Sequence, residues 1–74
     1  DMGFDYSKLR GRIVEKCGSQ KNFADAIGLS NRSVSLKLNG KLTWKQDEII
    51  RSLHVLDLKE EDVQLYFFKT FNFK

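Results

Sequence analysis

The sequence predicts an all-α domain of five helices, and three observations carry that expectation. Apolar residues recur at three- and four-residue spacings along most of the chain. No proline interrupts them. Residues 20–40 have the residue types of two short helices joined by a tight turn: Phe23-Ala24, then Ile27-Gly28-Leu29-Ser30, then Val34.

The first helix is expected from about Tyr6 to Cys17. Leu9 and Ile13 share one face, with Tyr6 and Cys17 extending it. Asp5 or Ser7 is placed to serve its N-terminus, and Gly18 ends it. Ser19 can cap a second helix, Gln20 to Ile27, which presents Phe23, Ala24 and Ile27 inward. Ala24 is small where two helices would cross closely. Gly28 follows at the position where a left-handed backbone is wanted. Leu29 fills the corner, and Ser30 is the cap candidate for a third helix, Asn31 to Asn39, with Gly40 just beyond.

Thr43-Trp44-Lys45-Gln46 has the capping-box pattern for a fourth helix. That helix would place Ile49, Ile50, Leu53 and Leu56 inward and end near Leu53–Val55. Asp47 and Glu48 fall in its first turn, where the helix dipole favours acids. Leu58 reads as a buried corner. A fifth helix covers about Glu60 to Phe67, with Val63 and Phe67 inward. The tail alternates Phe71 and Phe73 with Thr70, Asn72 and Lys74, which is the period of a short strand. Phe68, Phe71 and Phe73 should not sit bare in water, so they either fold onto the core or form a dimer surface.

At 74 residues the chain is one domain, residues 3–74, near the lower size limit for a self-sufficient core. Its apolar runs are too short for a membrane span or a signal peptide, and a cytoplasmic location is expected. Asp1 ahead of Met2 has the look of a cloning remnant. One cysteine (Cys17) and one histidine (His54) exclude an internal disulfide and a Cys/His zinc cluster. Cys17 reads as a small core residue and His54 as a surface residue. There is no glycine-rich phosphate loop, and no enzyme activity, cofactor or small-molecule ligand is expected. Net charge is +3, divided as +4 over residues 1–41 and −1 over residues 42–74. The basic half holds the third helix, which suits a polyanion on that side, although a surplus this small is also ordinary for a protein surface.

Gln20-Lys21-Asn22-Phe23-Ala24-Asp25-Ala26-Ile27-Gly28-Leu29-Ser30-Asn31-Arg32-Ser33-Val34-Ser35, followed by Asn39-Gly40-Lys41, resembles the helix-turn-helix of phage Cro and CI-type repressors, the xenobiotic-response-element-like group. The resemblance spans about residues 5–67. The stretch Phe4 to Ile13 is similar to small Cro-like proteins of phages of Gram-positive bacteria. It implies a five-helix lambda-repressor-like domain whose third helix enters the DNA major groove. Carried over by position, the base-reading set is Ser30, Asn31, Arg32, Ser35 and Leu36, with Asn39 a further candidate. The chemistry suits Arg32 for guanine and Asn31 for adenine, Ser35 as a short contact and Leu36 against a thymine methyl. The plainer reading makes Asn31 and Arg32 a solvated first turn and Leu36 a core contact.

Phosphate contacts are expected from element ends: Ser19 and Gln20 at the second helix, then Lys41, Thr43 and Lys45 after the third. Lys37 departs from the family, which carries an apolar residue there. Either its stem lies over the core with its ammonium near phosphate, or the third helix is rotated slightly. Trp44 either donates to a phosphate or is simply part-buried. For Lys21, Arg10 and Arg12 solvated charges are the expectation.

These readings give a sequence-specific double-stranded DNA regulator, a Cro-like repressor acting as a homodimer on inverted half-sites one helical turn, roughly 34 Å, apart. The alternative is a protein-binding module, an antirepressor or assembly factor, with the same fold and the phenylalanine tail as its interface.

Overall fold

In the computed structural model, residues 3–71 are described. Five α-helices follow one another: α1 Ser7–Cys17, α2 Gln20–Ile27, α3 Asn31–Leu38, α4 Gln46–Val55 and α5 Val63–Phe67. A single 3₁₀ turn, Glu60–Asp62, leads into α5. The fifth helix is thus shorter than its sequence suggests, because its acidic first turn winds more tightly.

The caps follow local chemistry. Ser19 Oγ accepts the Asn22 N–H at the start of α2, and Ser30 Oγ accepts the Ser33 N–H at the start of α3. Asp5 Oδ1 accepts the Ser7 N–H ahead of α1, and this bond holds the Asp5 carboxyl below its usual range. Gly28 ends α2 at φ 78°, ψ 26°, a left-handed conformation that only glycine adopts without strain. A Cβ there would meet nothing within 4 Å, so backbone conformation alone demands the glycine.

The fourth helix corrects two expectations. Its cap is Lys45, not Thr43: the Glu48 carboxylate accepts the Lys45 N–H at 2.9 Å. Its inner face is Ile49, Ser52, Leu53 and Leu56, while Ile50 is 48% exposed. The sequence could not choose between the adjacent isoleucines. The small Ser52 takes the inner position because its hydroxyl donates to Glu48 O and so needs no other partner.

The core is built from Tyr6, Leu9, Ile13, Phe23, Ala24, Ile27, Val34, Leu38, Leu53, Leu56 and Phe67, contributed by every helix. Leu58 and Cys17 are only part-buried. Burial pushes the Cys17 thiol up. Phe67 and Trp44 meet edge to face at 5.3 Å. The strand expected of the tail amounts, among the described residues, to one antiparallel bridge between Phe4 and Thr70. Asp5 N–H donates to Lys69 O and Phe71 N–H to Gly3 O around it. Phe73 lies outside the described residues.

Candidate interaction surface

Long-range arginine contacts fix where the helices end relative to one another. Arg10 donates to Leu38 O and Asn39 Oδ1 at the C-terminus of α3. Arg12 donates to Leu56 O and Asp57 O at the C-terminus of α4. Arg51 donates to Ile27 O at the C-terminus of α2. In each case a cation satisfies carbonyls that the helix leaves open, at the negative end of its dipole. Arg10 and Arg12 are therefore not merely solvated charges, as their sequence positions suggested.

Lys37 is the second departure. Its ammonium lies 3.0 Å from Glu48 Oε1 and 2.9 Å from Thr43 O, with both charged side chains almost wholly buried. It also sits 5.9 Å from the centre of the Trp44 ring. Lys37 shares the inward face of α3 with Val34 and Leu38. The ammonium thus has no route to a surface phosphate, which removes Lys37 from the phosphate-binding set. Burial would raise the Glu48 carboxyl, but the Lys45 N–H and the bond and charge of Lys37 outweigh it and hold the group below its usual range.

With Lys37, Val34 and Leu38 inward, α3 turns Asn31 and Arg32 to solvent. Ser35 and Leu36 are part-covered, while Ser30 and Asn39 are exposed. Gln20 Nε2 donates to Asn31 Oδ1 at 2.9 Å, so the start of α2 braces the start of α3. Ser19 is part-buried and its hydroxyl is occupied by its capping bond. Lys21 pairs with Asp25 across one helical turn at 3.1 Å. Lys41, Thr43 and Lys45 are exposed along the segment after α3. Among the described residues, Arg32, Lys41 and Lys45 form no ion pair, so this face keeps its positive charge available.

A groove opens beside that segment. It encloses roughly 140 Å³ and is lined by Gly3, Phe4, Leu42, Trp44, Ile49 and Phe68, among others. Leu42 and Phe68 are exposed large apolar residues, as are Leu65 within α5 and Phe71 in the tail. Trp44 is part-buried, and its indole N–H is shielded from solvent. Burial raises the neighbouring Tyr6 hydroxyl, and the nearby Trp44 indole opposes that rise. The groove was not visible in the sequence because residues 3–4, 42–49 and 68 meet only in the fold. Among the described residues no helix is long and apolar enough to cross a membrane, and no group of side chains is arranged to hold a metal ion.

Residues 2–70 match the model of the family described as Protein of unknown function (DUF739), and the chain belongs to that family. No curated protein sequence matches it. The fold is similar to the solution structure of the modulator of repression (MOR) of the temperate bacteriophage TP901-1 from Lactococcus lactis. The two are 61% identical, with a TM-score of 0.79 over 90% of each chain. The expected five-helix, all-α fold is thereby shown. The likeness is to a phage regulatory protein, without showing a Cro or CI-type repressor.

Proposed function

We propose that this member of the DUF739 family controls phage repression by binding a protein partner, a phage repressor, rather than by acting as the repressor. The observation that carries this reading is the 61% identity, over 90% of each chain, to a modulator of repression. A modulator acts on repression that another protein establishes. The distribution of charge supports it, since three arginines of a modestly basic chain are engaged at helix ends and a fourth cation, Lys37, is buried. The role needs no catalysis, and none is proposed. Titrating the full chain with a purified phage repressor, by calorimetry, tests the reading. Saturable binding supports it, and no heat of binding at any practical concentration overturns it.

A second reading keeps the helix-turn-helix as a DNA reader. The exposed Arg32 and the bracing of Asn31 by Gln20 favour it. In that case α3 would enter the major groove, with Arg32 and Asn31 on base edges. Lys41 and Lys45 would hold phosphates, and their share of the affinity would fall steeply with salt. Phe68 and Phe71 would then join two copies on an inverted repeat. A gel-shift titration with the promoter-region duplex, and the mass of the protein in solution, separate the two.

A further inference from the structure

We propose that the groove between Phe4, Leu42, Trp44 and Phe68 is a docking site for a bulky apolar side chain carried on an acidic segment of a partner protein. The inference rests on the reading above that the partner is a protein. Among the described residues, none that lines this groove is charged. Its walls are mostly aromatic and aliphatic, with Thr43 among them, and Leu42 and Phe68 are exposed apolar residues of the lining. A space of this kind takes a single anchor residue, the usual centre of a protein interface.

Charge selects the anchor's neighbours. Lys41 directly precedes Leu42, and Lys45 directly follows Trp44. Both are exposed, and neither is in an ion pair among the described residues. Two lysines outside any ion pair among the described residues thus flank lining residues of the slot in sequence, which favours acidic residues beside the anchor. Duplex DNA also seeks lysines, but it offers no protruding apolar group large enough to fill such a slot. The groove walls are held firm: Lys37 ties Thr43 O to Glu48 behind them, and the bridge between Phe4 and Thr70 fixes the opposite side. A preformed site loses little on ordering.

Trp44 is the sole tryptophan, so its emission reports on the groove directly. A random peptide library is panned on the full chain, and the enriched peptides are titrated by Trp44 fluorescence. The expected peptides carry Phe, Leu or Trp beside Asp or Glu, and they shift the emission. Leu42→Glu should weaken them by about tenfold or more. Lys41→Glu with Lys45→Glu should reverse the preference towards basic flanks, while Arg32→Ala leaves binding unchanged. Enrichment of basic or uncharged peptides, binding without a Trp44 response, no enrichment, or a Trp44 response confined to duplex DNA would each overturn the proposal. Repressor binding that persists in Leu42→Glu alongside any of these outcomes would retain the modulator reading and reject only this site. Acidic peptides at the groove with no repressor binding would do the reverse.

Discussion

Lys37 and Glu48 form an ion pair of 3.0 Å in the interior, each about 6% exposed, and this pair joins α3 to the first turn of α4. Glu48 also caps α4 through the Lys45 N–H, and Lys37 also holds Thr43 O. Two charges thereby satisfy a loop that would otherwise bury polar groups without partners. Removing one partner should be costly, because the other is left charged and buried. Lys37→Met should lose about 3–5 kcal/mol. Lys37→Met with Glu48→Gln should recover more than half of that, since Gln keeps an acceptor for Lys45 N–H. Urea midpoints at equal m-values check both. Equal losses in the single and double variants would contradict the account.

The same pair sets an acid limb. The Glu48 carboxyl is depressed in the folded protein relative to its ordinary value of 4.5. Its contribution is therefore fully present above that value and is lost as pH falls through the folded value. Stability of the parent should fall over that window. Glu48→Gln should remain flatter through it, as seen in denaturation midpoints measured across acidic pH. Parallel curves for the two proteins would show that other carboxylates dominate.

Gly28 isolates backbone strain from packing. Its φ is 78° and a Cβ would touch nothing, so Gly28→Ala should cost about 1–2 kcal/mol from conformation alone. Thermal unfolding measures it. No loss would mean that the turn relaxes out of the left-handed region.

The arginine caps make a fourth prediction about stability. Arg12→Ala removes donors to Leu56 O and Asp57 O and should cost on the order of 1–2 kcal/mol. Arg12→Lys should restore little of it, because an ammonium cannot reproduce the two-pronged guanidinium geometry. Comparing the three proteins in urea is sufficient.

Much of α2 and α3 could be read from the sequence because their signals are local. Ser19 and Ser30 each bond an N–H three residues on, and Gly28 answers a single backbone angle. What could not be read depends on distant partners. The arginine caps join residues 24 to 45 positions apart. Lys37 looks like a misplaced surface lysine until Glu48 arrives from the next helix. Ile49 and Ile50 are equivalent by composition, and it is Ile49 that turns inward with Ser52, Leu53 and Leu56. Asn31 and Arg32 are exposed, as the positions carried over from the helix-turn-helix resemblance implied, and Lys41 and Lys45 are exposed after α3, as expected of element ends. The neighbouring groove was not legible, because its walls come from three separated stretches.

Arg32 divides the two functional readings without disturbing the fold. It is exposed and, among the described residues, in no ion pair, so Arg32→Ala should change stability by less than about 0.5 kcal/mol. If α3 reads operator bases, this variant should lose on the order of 1–3 kcal/mol of operator affinity and relax preference at one base pair. Under the protein-partner reading any weak DNA affinity should decline evenly across sequences, with no change in preference. Selection from a randomised duplex library, applied to the parent and the variant, makes that comparison.

The central claim is that the protein modulates repression through another protein. Its most direct test is calorimetric titration of the full chain into a purified phage repressor, with that repressor's operator duplex titrated separately under the same salt. The account predicts saturable binding to the repressor and only weak, salt-sensitive, sequence-independent binding to the duplex. Tight, sequence-specific binding to the duplex with no heat on mixing with the repressor would contradict it.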